Sequence, residues 1–88
     1  MYYYTAMTDY ERKKLEAELR YFTTKNFEKP SECRNLDQIR FYVQELCLKI
    51  EEYQSKFNYV PNWAYGLLAQ YNAKQNNMIQ IDFTSTYH

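Results

Sequence analysis

Residues 36–57 read LDQIRFYVQELCLKIEEYQSKF, and their apolar members decide the fold. Leu36, Ile39, Val43, Leu46, Ile50, Tyr53 and Phe57 follow one another at alternating steps of three and four, which puts them on one stripe of an α-helix three heptads long. A strand, with its period of two, would scatter them over both faces. At about 1.5 Å per residue the stretch makes a rod of roughly 33 Å, the spine of the molecule. Ser31 or Asn35 can cap its start, the latter with Gln38 three residues on. Glu45 with Lys49 and Glu52 with Lys56 stand in the favourable i to i+4 order on its flank.

The stripe has two readings: the inner face of one folded chain, or the seam of a homodimeric coiled coil. Tyr53 and Phe57 are bulky for a two-stranded seam, and neighbouring segments carry apolar stripes of their own, so packing within the chain is expected. Opposite the stripe, about 170° round the helix, stand Phe41 and Leu48, one heptad apart, with Tyr42 next to Phe41. Either another part of the chain covers these residues or they form a patch that receives a partner. Phe41, Tyr42, Leu48 and Tyr65 are therefore the candidate partner-binding residues.

On the N-terminal side, Thr8-Asp9-Tyr10-Glu11 has the form of a capping box, so a helix is expected to start there. Leu15, Leu19 and Phe22 form its apolar stripe, with Tyr10, Ala17 and Tyr21 on a neighbouring flank. Thr23, Thr24 and then Pro30 end it, and Phe27 is expected to tuck back onto the core. On the C-terminal side, Pro61 breaks the rod and Asn62 is expected to cap a third helix reaching about Gln75. Trp63, Ala64, Leu67, Leu68 and Tyr71 share its inward arc, while Gly66, Ala69 and Ala73 make a strip that a second backbone could approach closely. Asn76-Asn77 reads as a turn, and Ile79, Ile81, Phe83 and Tyr87 alternate with polar residues in the period of a strand. The aromatic N-terminal arm, Tyr2 to Ala6, is the one segment available to pair with it. The expected fold is thus mainly α: a single domain over residues 1–88, three helices of which the central one is long, with short terminal β-strands paired beside them.

Eleven basic and eleven acidic residues cancel, so the chain as a whole offers no field to attract phosphate backbones or anionic lipid. No run of 18 uncharged apolar residues is present, which excludes a membrane-spanning helix, and the first residues have no signal-peptide pattern; a cytoplasmic location is expected. Cys33 and Cys47 fit no zinc spacing and are expected to be free thiols. The eleven tyrosines, with the frequent Phe, Met, Ile, Asn and Lys, are amino acids whose codons are A/T-rich, and point to an A+T-rich source such as a low-GC bacterium or one of its phages or plasmids.

Catalysis needs convergent polar groups, and most kinds are missing. The one histidine is His88, and the one glycine, Gly66, cannot build a phosphate-binding loop. Asp9-x-Glu11-x-Lys13 has the spacing of half a metal-dependent nuclease site, but acids in a first helical turn are explained by the helix dipole alone. Glu16 with Glu18 and Glu51 with Glu52 read as solvated helix faces. No enzyme activity, cofactor or metal is expected. The leading expectation is a small protein-binding module, an inhibitor or adaptor acting on a host protein complex. One alternative is a nucleic-acid-binding protein that uses Arg12, Lys13, Arg20, Tyr21 and Lys25. The other is a self-associating structural protein, a homodimer built on the central seam.

Overall fold

Thr8 does what its sequence context asks. Its hydroxyl accepts from the Glu11 amide at 3.1 Å, and the Glu11 carboxylate accepts from the Thr8 amide at 2.9 Å, which closes the capping box and starts α1 (Asp9–Asn26). Asn35 performs the same task for α2 (Leu36–Phe57), accepting from the Gln38 amide at 3.2 Å. Asn58 ends that helix in the left-handed region, with φ of 50°, and its amide closes on the Gln54 carbonyl at 3.1 Å. After Pro61 the chain enters α3 (Asn62–Thr86) with Asn62 as its first helical residue. These elements belong to a computed structural model that describes residues 7–86, with side chains through Ile79.

The three expected helices are present, joined between α1 and α2 by a 3-10 turn, Pro30–Glu32. The stripe of α2 is the inner face of the chain: Ile39, Leu46, Ile50 and Tyr53 are buried, Leu36 and Val43 half-buried, and Phe57 exposed at the end of the rod. Leu15 and Leu19 from α1, Phe27 and Cys33 from the connection, and Ala64 and Tyr71 from α3 complete the core. Each buried aliphatic side chain contributes about 1.5–3 kcal/mol. Phe27 tucks in as expected, its ring 4.7 Å from that of Tyr42 and 6.0 Å from that of Tyr71.

Helices α2 and α3 form an antiparallel pair, with the Tyr42 and Tyr71 rings 5.6 Å apart. That register brings Leu36 level with Asn77, so the last turns of α3 run past the start of α2. Here the structure corrects the sequence reading. Asn76-Asn77 is no turn, and the residues expected to form a strand after it continue α3 to Thr86. Tyr71, Gln75 and Met78 stand at helical spacing and remain at least partly covered, which carries the helix through the asparagine pair. Beyond it, each further helical residue adds its own hydrogen bond, whereas a strand needs a neighbour to bond at all. The N-terminal arm and Tyr87, the other parts of the expected ribbon, lie outside the described residues.

Two smaller expectations also change. A Cβ on Gly66 would meet nothing within 4 Å, and Ala69 and Ala73 are exposed, so the strip is not the close-approach site expected of it among the described residues. Lys56 pairs with Glu52 at 3.2 Å as expected, but Lys49 reaches forward to Glu52 at 3.6 Å instead of back to Glu45, because its ammonium also lies 4.7 Å over the Phe22 ring.

Candidate interaction surface

The described tyrosines divide into two groups. Tyr42, Tyr53, Tyr59 and Tyr71 are internal clips whose hydroxyls bind other elements. Tyr71 donates to the Glu28 carbonyl at 2.5 Å, Tyr53 to the Leu15 carbonyl at 3.4 Å, Tyr42 to the Glu28 carboxylate at 3.5 Å, and Tyr59 to the Glu16 carboxylate. Burial pushes the Tyr71 hydroxyl up to about 12 and raises that of Tyr53; the bond to Glu16 does the same for Tyr59. Hydroxyls that donate inward hold helices together, and the upward shifts of Tyr53, Tyr59 and Tyr71 favour the neutral phenol there. Tyr10, Tyr21 and Tyr65 form the second group and stand exposed.

Cys33 and Cys47 are free thiols. Cys33 is buried, donates to the Lys29 carbonyl at 3.3 Å, and is pushed above its ordinary range by burial first and the Glu28 carboxylate second, which keeps it a protonated thiol. Among the described residues no group of three His, Cys, Asp or Glu side chains stands close enough to hold a metal ion, and no helix is long and apolar enough to cross a membrane. His88 lies outside the described residues. Asp9 faces Arg12 at 3.2 Å, and Glu11 is held by Thr8, so the acids of the nuclease-like spacing serve the helix start. The bonds from Thr8 lower the Glu11 carboxyl below its ordinary value.

Phe41 and Leu48 are 53% and 52% exposed, on the opposite side of α2 from buried Ile39 and Leu46. No family model matches the chain, and no curated protein or solved structure matches it either. The surface must therefore be argued from its own chemistry. At 100° per residue, Asp37, Gln44, Glu45, Glu52 and Ser55 lie within about 50° of the Phe41–Leu48 line, and no lysine or arginine does. Arg40 meets Asp37 from the edge at 3.9 Å, and Lys49 and Lys56 meet Glu52 from the other edge. Glu45 is in no ion pair among the described residues. The result is an apolar pair in an acidic frame.

Tyr42 does not belong to this patch. It is 3% exposed, about 60° from the buried stripe and 100° from Phe41, and its ring lies among Phe27 and Tyr71. Tyr65 is half-exposed on α3 and comes level with Leu48 in the antiparallel register, although no described aromatic contact joins it to Phe41.

The basic residues of α1 are more committed than their sequence spacing implied. Arg12 is paired with Asp9, the Arg20 guanidinium lies 4.5 Å over the Trp63 ring, and the Lys25 ammonium 5.5 Å over the Tyr21 ring. Lys13 and Lys14 are exposed and in no ion pair among the described residues. Between α1 and α3 runs an open cleft of about 360 Å³ lined by Arg20, Thr23, Trp63, Gly66 and Gln70. Trp63 carries the one buried side-chain donor without a partner among the described residues, its indole N–H, and that atom is sealed from solvent.

Proposed function

We propose that the protein is a non-enzymatic binding module that docks a protein partner on the outer face of α2, acting as an inhibitor or adaptor of the kind encoded by phages and mobile elements. The observation that carries this reading is the exposure of Phe41 and Leu48, one heptad apart, on a helix whose other side is buried. Two large apolar side chains so placed contribute little to the fold and present a contiguous contact to another molecule. Phenylalanine and leucine anchors within a charged frame have the composition of a docking surface: an apolar centre and a polar rim. Among the described residues the buried Cys33 thiol and the raised Tyr53 and Tyr71 hydroxyls serve packing.

The test compares the tagged wild-type chain with Phe41→Ala/Leu48→Ala in affinity capture from its host's lysate. The wild type should retain a stoichiometric protein partner that the double variant releases, while both show the same circular dichroism and melting temperature. A partner held equally by both forms, or no partner at physiological salt, would count against this surface.

A further inference from the structure

The outer face of α1 is the chemical complement of the outer face of α2. Tyr10 and Tyr21 are 75% and 65% exposed and lie within about 20° of one another round α1. Lys14, Ala17, Thr24 and Lys25 fall within about 50° of that line, and no acid does. This face is aromatic in a basic frame, where the α2 face is apolar in an acidic one. The tyrosine rings stand roughly 16 Å apart along the helix and the Phe41–Leu48 pair spans about 10 Å, so the tyrosines can bracket the pair with lysines directed at its acids.

From this complementarity we infer that the occupant of the α2 face is α1 of a second copy of the chain, with Tyr10 and Tyr21 against Phe41 and Leu48, Lys14 facing Glu45, neither of which is in an ion pair among the described residues, and Lys25, now over the Tyr21 ring, facing Glu52, now paired with Lys49 and Lys56. The inference rests on the docking role proposed for the α2 face, and in the purified chain a second copy takes the place of the host partner there. It differs from a dimer built on the heptad stripe, because that stripe is spent inside the chain. Two different faces meet, so the contact closes at two copies only where α1 of each copy meets α2 of the other about a two-fold axis, and otherwise runs head-to-tail into a ring or a longer assembly. A nucleic acid is the weaker fit for α1, since phosphate affinity grows with the number of free cations and Arg12 and Arg20 are already engaged.

Sedimentation velocity on the purified chain, at rising concentration and in low and high salt, tests it together with two charge-reversed variants. The wild type should exceed the monomer mass at high concentration, and the association should weaken roughly tenfold on moving from about 0.05 to 0.5 M salt. Lys14→Glu/Lys25→Glu alone and Glu45→Lys/Glu52→Lys alone should each associate at least about tenfold more weakly. Mixed, they should associate again, because each then offers the other two opposed faces; this recovery requires both variants to be folded. A wild type that stays monomeric at every concentration, or a mixture no better than its components, overturns the inference. If the chain is monomeric but still captures another protein through Phe41 and Leu48, the docking surface stands and only its occupant changes. If α1 instead binds an oligonucleotide in a salt-dependent way that Lys14→Glu/Lys25→Glu abolishes, with the chain monomeric, that face belongs to nucleic acid and the inference falls.

Discussion

Leu46 and Leu48 are two positions apart on one helix, and they live in different solvents: one is fully buried, the other half in water. Heptad position predicts that difference from the sequence. It also contains the information needed for Tyr42, which chain adjacency alone places beside Phe41. Adjacent residues on a helix point about 100° apart, and that step carries Tyr42 back to the buried side. What no spacing reveals is that four tyrosine hydroxyls work as clips, since their acceptors, such as the Glu28 and Leu15 carbonyls, are distant in sequence. Tyr71 makes the clip measurable. Its folded pKa, about 12, lies above the unfolded value near 10, so the fold favours the neutral phenol. The associated stability is fully present below about pH 10 and is lost as pH rises towards 12, on the order of 2 kcal/mol. Tyr71→Phe should cost about 1–2 kcal/mol near neutrality, because the Glu28 carbonyl loses its donor, and should decline less than the wild type between about pH 10 and 12. Urea unfolding across that range checks it, and parallel declines would contradict the assignment.

At the level of elements, the sequence was most legible where side chains cap their own backbone. Thr8 and Asn35 mark the starts of α1 and α2 through local bonds to Glu11 and Gln38, and local signals survive any tertiary arrangement. Thr8→Ala should therefore cost about 1 kcal/mol, read as a drop in the midpoint of chemical unfolding. The end of α3 departs from the sequence expectation for the converse reason. The asparagine pair and the alternation after it are local strand signals, and they lost to a helix already anchored on α2. The signal that would have found the extension is the heptad recurrence of Ala64, Tyr71 and Met78, all packed with the core. Helix and turn give opposite signs for one substitution. Asn76→Ala/Asn77→Ala should increase helical circular dichroism at 222 nm, since alanine exceeds asparagine in a helix interior by about 0.5 kcal/mol per site. A loss of helical signal would restore the turn.

For the molecule as a whole, the single long helix explains both the fold and the surface. Its heptad stripe gathers α1, the connection and α3 onto one side, and this part of the architecture followed from residues 36–57. The state of its outer face did not, because only the packed structure shows that nothing described covers Phe41 and Leu48. The complementary charge frames of α1 and α2 were hidden for a similar reason: in the sequence acids and bases interleave and cancel, and only the helical turn sorts them to separate faces.

The two-sidedness of α2 is tested most directly by equilibrium urea unfolding of Leu46→Ala and of Phe41→Ala/Leu48→Ala. Leu46→Ala should lose about 2–5 kcal/mol through the cavity it leaves, while the double variant should stay within about 0.5 kcal/mol of the wild type. Equal and large losses would contradict the account, since Phe41 and Leu48 would then belong to the core and not to a surface held for a partner.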